Sequence, residues 1–333
     1  MTEWWEPLRG DPMNWLLDWD EPSVRYFALV DIVERPSEAP AVIEARQSIA
    51  ASPTVRKIFA KQHPDGWWAT PDQIYRPKYR STVWQLIILA ELGVSGQDPR
   101  IAQACEFVLQ RSMTQEGDFS HVPDKSRIIP YCLPGNIVRF LLRFGYGDDP
   151  RTQLAIRRLA ETSLERGWAC RHHRNAPCLW GALKTLWAFS EIPEAERSSQ
   201  VEEAIERGVE FFLSQDFAAM GPESKALTHQ KPLPGRKELK GRVSAFEWQR
   251  FGFPLFYHCD LLFGLRVMTA LGRGRDPRLQ PAVEIMLAKQ DEGGRWIMER
   301  SFNGRMQTNI ERKGRPSKWV TLNALRVLKG VYN

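Results

Sequence analysis

The stretch His63-Pro64-Asp65-Gly66-Trp67-Trp68, followed by the run from Ser81 to Gly93, decides the fold. It joins a tight turn that carries aromatic residues to a short loop and an apolar helix. A polar helix at 54–62 precedes the turn, so one unit consists of an outer helix, a turn and an inner helix. The same order returns four more times. Such long-period repeats are typical of helical arrays, because one helix pair cannot bury its apolar face without a neighbour.

The units follow one another at a regular spacing. Their aromatic turn residues at 67, 119, 168 and 217 lie about 50 residues apart, and a polar insertion at 218–249 delays the next to Trp296. Asp-Pro-Arg triplets at 98–100, 149–151 and 276–278 mark matching unit boundaries. The outer helices are predicted at 54–62, 101–110, 152–165, 201–215 and 281–290, and the inner helices at 81–92, from about 133, and at 177–189, 254–271 and 318–329.

The two kinds of helix differ in their apolar patterns. The inner helices are apolar nearly all round, as in Leu86-Ile87-Ile88-Leu89, whereas the outer helices carry polar faces. An inner layer of helices that are buried on every side, covered by an outer layer of amphipathic helices, is typical of a closed double ring. The sequence therefore predicts an all-α fold, a single α/α toroid of about five to six helix pairs at 51–333, with an N-terminal helical preface at 1–50 packed on it.

Composition and charge narrow the class of protein. The chain has 333 residues, 43% of them hydrophobic, which suffices for a large core. A net charge of +6 fits an anionic ligand without requiring nucleic acid. Five cysteines, an odd number, argue against a secreted disulfide framework. No signal-peptide pattern and no apolar run of about 20 residues is visible, so we expect a cytoplasmic protein, with its oligomeric state left open.

Two of the turns resemble the Gln-Trp motif of squalene and hopene cyclases, in which the glutamine caps helix ends near the tryptophan. They are Gln62 … Asp65-Gly66-Trp67-Trp68 and Gln290-Asp291-Glu292-Gly293-Gly294-Arg295-Trp296; Gln115-Glu116-Gly117-Asp118-Phe119 is a weaker copy, and Gln215-Asp216-Phe217 and Gly167-Trp168 are degenerate ones. The resemblance covers roughly residues 50–330. It implies the α/α toroid that terpenoid cyclases share with the β subunits of protein prenyltransferases.

The sequence departs from that family in its acid motif. Class II cyclases protonate their substrate with an Asp-x-Asp-Asp string, which is absent here. The nearest imitation, Asp18-Trp19-Asp20-Glu21, lies in the preface rather than at an inner helix, and Asp148-Asp149 belongs to a unit-ending turn. The resemblance is therefore specific for the fold and weak for the activity.

Cations and aromatic residues precede or open each predicted inner helix. Helix N-termini favour anions through their free N–H groups and dipole. Added arginine and lysine predict a diphosphate or carboxylate site, with aromatic walls for an apolar tail. The residues that we expect to bind such a ligand are Tyr79, Arg80, Trp84, His121, Arg171, His172, Trp180, Tyr257, Arg315, Lys318 and Trp319. The alternative is that these cations are solvated loop residues.

The string Tyr257-His258-Cys259-Asp260 is predicted to open the fourth inner helix. Its last residue, Asp260, lies at the position where the resemblance to the cyclases implies an aspartate on an inner helix. Asp260 is therefore the candidate general acid, with His258 beside it as the second candidate catalytic residue. The alternative for Asp260 is a purely structural helix cap.

The same string raises the question of zinc. His258 and Cys259, together with Cys170, His172, His173 and Cys178, are zinc-ligand residue types. The ligand spacing of the protein prenyltransferases is not reproduced, and adjacent residues on one helix cannot all face one ion. We therefore expect no cofactor, and a zinc or magnesium ion is the alternative.

Three functions remain open at this point. The first is an isoprenoid-handling protein, related to terpene cyclases or prenyltransferases, that binds an isoprenoid or a prenyl diphosphate in the central funnel. The second is a non-catalytic scaffold or binding module that has lost the acid motif. The third is a protein or polyanion partner held by the basic insertion at 225–242. Nucleic acid is disfavoured as a partner, and contact with a membrane surface stays open.

Overall fold

The computed structural model describes residues 3–122, 124, 128–170, 175–215 and 248–333. The insertion at 218–249 lies almost wholly outside these residues. The described chain is all-α apart from one two-stranded hairpin. Its helices are α1 (Met13–Leu16), α2 (Pro22–Phe27, continued by a π-helical turn, Ala28–Ile32), α3 (Pro40–Ala51), α4 (Pro53–Phe59), α5 (Thr82–Glu91), α6 (Pro99–Ser112), α7 (Cys132–Arg143), α8 (Pro150–Arg166), α9 (Leu179–Phe189), α10 (Ser199–Leu213), α11 (Leu261–Ala270), α12 (Gln280–Ala288) and α13 (Lys318–Tyr332).

Short elements complete the described chain. The hairpin pairs β1 (Ala169–Cys170) with β2 (Ala176–Pro177) in antiparallel register, directly before α9. Two 3₁₀ turns, Glu194–Glu196 and Pro277–Leu279, precede the outer helices α10 and α12. Among the described helices, none is long and apolar enough to cross a membrane.

The inner helices pack side by side into a ring. Helix α5 packs on α7, α7 on α9, α9 on α11, and α11 on α13. The ring closes through the N-terminal segment, since α13 packs on α2 and on its π-helical turn. At the last junction, a side chain in place of Gly93, just after α5, would come within 2.9 Å of the Phe27 ring of α2. The fold is therefore the predicted α/α toroid, with the N-terminal segment supplying an inner element.

The outer helices cover this ring. Helices α6, α8, α10 and α12 pack on α5, α7, α9 and α11 respectively, and α3 packs on α2. The Asp-Pro-Arg triplets begin outer elements: Asp98, Asp149 and Asp276 each accept a hydrogen bond from the backbone N–H of the arginine two residues on. Aspartate before proline is a favoured helix start.

The turn tryptophans of the first and last units make equivalent hydrogen bonds. The indole Nε1 of Trp68 donates to the carbonyl of Ile58 at 2.8 Å, and that of Trp296 donates to the carbonyl of Met286 at 2.7 Å. The backbone N–H of each donates to a threonine hydroxyl in the following inner helix. Each tryptophan thus links an outer helix, through its indole, to the start of an inner helix, through its backbone N–H. The repeating aromatic of the first unit is consequently Trp68, whereas Trp67 is half-buried against His63.

The motif glutamines link neighbouring units. Gln62 Nε2 donates to the carbonyl of Arg100 at 2.8 Å, which joins the first unit to the second. Gln290 Nε2 donates to the carbonyl of Pro7 at 2.9 Å, and its Oε1 accepts from the N–H of Arg9 at 2.8 Å. The last unit is therefore joined to the N-terminal segment as the first is joined to the second.

The fourth inner helix starts later than its apolar pattern predicts. The predicted helix at 254–271 is observed only as α11, from Leu261 to Ala270. Asp260 is the last residue before the helix. Its carboxylate caps the helix, because it accepts a hydrogen bond from the backbone N–H of Phe263. Residues 250–258 are therefore not helical, and they cross the end of the ring.

Candidate functional site

Residues 250–258, here called the plug, close the end of the ring where the inner helices begin. Trp319, in the first turn of α13, stacks on Phe253 with ring centroids 4.1 Å apart. Trp84 of α5 lies 4.8 Å from Tyr257, and Trp180 of α9 lies 5.0 Å from His258, again between centroids. The first turns of three inner helices thus meet the same segment, so these helices run in the same direction.

Further aromatic rings fill the space around the plug. Tyr79 packs on Trp84 and on Phe302, at centroid distances of 4.9 and 4.6 Å. Phe256 lies 5.5 Å from Phe302, and Tyr75 lies 5.5 Å from Tyr257. Trp84 is 1% exposed and Tyr79 is 6% exposed. The mouth of the ring is therefore filled by the protein's own aromatic side chains.

A small cavity lies on the ring axis beneath the plug. Its volume of about 20 Å³ is room for one water-sized polar group. The wall draws on α5, α7, α9, α11 and α13 and on the plug: Ile87, Glu91, Asn136, Lys184, Gly252, Phe253, Leu255, Phe256, Asp260, Leu262, Phe263, Arg266 and Asn323.

Two cations in this wall stand out. Lys184 of α9 is 3% exposed, with its Nζ 3.9 Å from the centre of the Phe263 ring. Arg266 of α11 lies over Trp187 at 4.7 Å. Within the part of the chain that the structure describes, neither side chain makes a hydrogen bond or an ion pair within 4.0 Å. Burial lowers the pKa of Lys184, and burial followed by the charge of Arg326 lowers that of Arg266 to about 9.

An ion-pair network forms the floor at the opposite ends of the inner helices. Arg139 of α7 donates to Glu91 at 2.6 Å and to Glu191 at 3.1 Å. Burial raises the pKa of Glu91, but the surrounding cations, Arg139 first, outweigh it and lower the pKa to about 2. Arg326 of α13 pairs with Asp31 at 2.7 Å. These carboxylates already have arginine partners, which leaves Lys184 and Arg266 as the unpaired cations of the described cavity wall.

Asp260 occupies the upper wall of the same cavity. It is 1% exposed, and its two oxygens accept from the N–H groups of Phe263 at 2.8 Å and Gly252 at 3.2 Å. Burial raises its pKa to about 7 despite these bonds. A carboxyl that titrates near neutrality can release or take up a proton at physiological pH. Asp260 thus caps a helix and also faces the cavity.

The predicted cationic ligand residues lie away from the axis. The guanidinium of Arg80 donates to the carbonyls of Arg305 and Gly304, at 3.2 and 3.4 Å. Lys318 pairs with Asp20 and, at 3.5 Å, with Asp18, so the aspartates nearest to the acid motif neutralise that lysine. The side chain of Arg315 is exposed.

The predicted aromatic and histidine residues lie in or around the plug. Tyr79, Trp84, Trp180, Tyr257, His258 and Trp319 pack on one another or on plug residues, while other residues form the cavity wall. His121 is half-buried with its ring 5.9 Å from that of Tyr75. Arg171 and His172 lie outside the described residues.

Sequence reasoning missed Lys184, Arg266, Glu91 and Asn323 as wall residues. Each is a polar residue within a predicted inner helix that is otherwise nearly all apolar. An isolated charge in a helix buried on all sides is expensive unless it meets a partner or a cavity. That signal could have identified these positions.

The cysteines and histidines form no metal site in the described chain. Among the described residues, no three side chains of His, Cys, Asp or Glu stand close enough together to hold a metal ion. His172 and His173, which belong to the zinc alternative, are not among them. Cys259 is fully buried beside Asp260.

The similarity of this chain to known proteins is limited to the arrangement of its helices. No family model matches the chain, and no curated protein matches its sequence. A solved protein from Actinoplanes is 14% identical with a TM-score of 0.41, over 93% of this chain and 89% of that one. The type II terpene cyclase MstE from Scytonema is 13% identical with a TM-score of 0.30, over 85% of this chain and 96% of that one. A variant of MstE in complex with geranylgeranyl dihydroxybenzoate gives 12% and 0.31, over the same shares.

Proposed function

We propose that the ring binds an apolar ligand through an anionic group, which Lys184 and Arg266 hold in the axial cavity. The observation that carries this proposal is that buried Lys184 and half-buried Arg266 line one cavity, while among the described residues neither makes a hydrogen bond or an ion pair within 4.0 Å. Burial disfavours both charges, as their lowered pKa values indicate. A bound anion would reverse that effect, because an opposite charge nearby favours the charged form.

The rest of the wall supports an apolar ligand. Ile87, Leu262 and Phe263 are buried hydrophobic residues beside the two cations, and Asn136 and Asn323 add amide groups. The space of about 20 Å³ is the size of one water. A carboxylate or diphosphate group and its tail therefore require Phe253 and Phe256 of the plug to move. The Gln-Trp resemblance favours an isoprenoid tail, carried by a prenyl carboxylate or a prenyl diphosphate.

Asp260 is the acid that we propose for any reaction in this cavity. It faces the same space as the two cations, and its pKa of about 7 suits proton donation at neutral pH. Its hydrogen bonds to Phe263 and Gly252 fix the direction of the carboxyl group. His258, the second predicted catalytic residue, lies in the plug against Trp180.

A non-catalytic scaffold is the second candidate, and one observation favours it. Trp187 has Arg139 on its ring at 4.4 Å and Arg266 at 4.7 Å. Cation–π contacts of this kind stabilise buried arginine without any ligand. The filled mouth of the ring agrees with such a role.

Calorimetric titration separates the two candidates. The probes are farnesyl diphosphate, farnesoic acid, farnesol and inorganic diphosphate, each titrated into the whole chain. A ligand site predicts that the two farnesyl anions bind more tightly than farnesol, which lacks the charge, and than inorganic diphosphate, which lacks the tail. Equal affinity for farnesol and farnesoic acid, or no binding of any probe, would overturn the proposal and leave the scaffold.

A further inference from the structure

Two thiols meet across the hairpin that precedes α9. Cys170 pairs with Ala176 in the β1–β2 register, and Cys178 follows β2 directly. The backbone N–H of Cys178 donates to the carbonyl of Trp168 at 3.0 Å, which continues the ladder by one pair. Alternate residues of a strand share a face, so both cysteines lie on the same face of the hairpin. The two side chains interact, since Cys170 is the first cause of the raised pKa of Cys178.

We propose that Cys170 and Cys178 are a redox-active dithiol that a peroxide oxidises to an intramolecular disulfide across the hairpin. Both cysteines are reduced in the structure. The antiparallel pairing holds their side chains on the same face of the hairpin. This modification site is independent of the proposed ligand site, since neither cysteine lines the axial cavity.

The order of the two steps follows from exposure and acidity. Cys170 is half-buried, whereas Cys178 is 5% exposed. Contact with Cys170 and then burial raise the pKa of Cys178 above its usual range, and the less accessible Cys178 sulfur meets peroxide less readily. The first attack on peroxide therefore belongs to Cys170.

The reaction balances with peroxide as the oxidant. The Cys170 sulfur attacks one peroxide oxygen, the O–O bond breaks, and Cys170 becomes a sulfenic acid while one water leaves. The Cys178 sulfur then attacks the Cys170 sulfur, its proton joins the departing hydroxide, and a second water leaves. Two thiols and one hydrogen peroxide give one disulfide and two waters, and a dithiol reductant reverses the change.

The other cysteines of the chain differ in their surroundings. Cys105 is fully buried on the outer helix α6, and Cys259 is fully buried before α11. Cys132, which begins α7, also interacts with Cys178, because its charge contributes to the raised pKa of Cys178. It is the rival partner that the test must exclude.

The disulfide would act on the start of an inner helix. Cys178 is the residue immediately before α9, which carries Trp180 and Lys184. A bond from Cys178 to β1 would fix this end of α9 to the hairpin.

Peptide mapping of the whole chain tests the proposal. The protein is treated with a small excess of hydrogen peroxide, alkylated and digested with trypsin, which places each of the five cysteines on a separate peptide. We expect the peptides of Cys170 and Cys178 to be recovered as one linked species, about 2 Da lighter than their sum, and to separate after reduction. Cys105 should be recovered alkylated, as the internal control.

Three variants complete the test. Cys170→Ser and Cys178→Ser should each abolish the linked species, and the partner cysteine should then stop at the sulfenic acid or the alkylated thiol. Cys105→Ser, the matched control, should leave the yield of the linked species unchanged. Recovery of all cysteines alkylated after peroxide, or linkage of Cys132 in place of either residue, would overturn the proposal.

Discussion

Trp319 of α13 stacks face to face on Phe253 of the plug, with the two rings 4.1 Å apart and within 4° of parallel. Phe253 also lines the axial cavity, so this one ring separates the cavity from the first turn of an inner helix. A ligand tail that enters through the plug must break the stack.

The first prediction concerns the plug. Phe253→Ala should destabilise the protein by about 3 to 4 kcal/mol, because a large buried side chain is lost and a cavity remains. The same change should enlarge the axial cavity and strengthen the binding of farnesoic acid. Urea unfolding gives the first quantity and calorimetry the second. Weaker binding in a variant that still folds would contradict a route through the plug.

The second prediction compares two buried tryptophans. The Nε1 of Trp68 donates to the carbonyl of Ile58, whereas the Nε1 of Trp168 is buried without a hydrogen-bond partner among the described residues. Trp68→Phe removes one of the two hydrogen bonds to the Ile58 carbonyl, which keeps the bond from the N–H of Lys61, and Trp168→Phe removes an unsatisfied N–H. We expect the first to lower the free energy of unfolding by about 0.5 to 1.5 kcal/mol more than the second. Equal losses in urea unfolding would show that the indole bond does not stabilise the unit.

The third prediction is a loss of stability in acid through Glu91. Its pKa is about 2 in the folded chain and 4.5 as an ordinary glutamate, so the unfolded chain takes up the proton first. The stabilisation is complete above about pH 4.5 and disappears as the pH falls towards 2, by on the order of 3 kcal/mol. Glu91→Gln should remove this part of the pH dependence. Identical slopes for both proteins between pH 5 and pH 3 would refute the ion-pair account of the floor.

The fourth prediction is a loss of stability as the pH rises, through Asp260. The pKa of Asp260 is about 7 in the folded chain and 3.8 as an ordinary aspartate, so the unfolded chain releases the proton first as the pH rises. The stability from this group is complete below about pH 3.8 and is lost by about pH 7, at up to about 1.4 kcal/mol per pH unit. Asp260→Asn keeps a capping side chain and should lack this slope. Glu21, whose pKa is also about 7, contributes equally to both proteins, so the difference between them is the quantity to measure.

The repeats made the ring predictable, because each unit carries its own local signals. Asp98 and Asp149 start outer helices beside a proline, and Trp68 and Trp296 make bonds only to their own unit. Those interactions join residues that are close together in the sequence, so the sequence pattern reveals them. The doubled aromatic Trp67-Trp68 concealed which ring repeats, since both fit the turn.

The cavity was not predictable in the same way. Lys184 and Arg266 come from different helices and meet only because the ring closes. Helical spacing does not tell which way a single lysine faces in a helix that is apolar all round. Residues 254–258 of the plug were predicted as helix because they are mostly apolar, whereas the capping bond from Phe263 to Asp260 starts α11 only at Leu261.

The central claim is that Lys184 binds an anion, and one titration tests it most directly. Farnesoic acid is titrated at pH 7 into the unaltered protein, into Lys184→Met, and into Lys61→Met, which removes an exposed lysine as the matched control. The account predicts that Lys184→Met binds about 10- to 100-fold more weakly than the unaltered protein, and that Lys61→Met binds equally well. Affinity that is unchanged in a folded Lys184→Met, or lost equally in both variants, would contradict it.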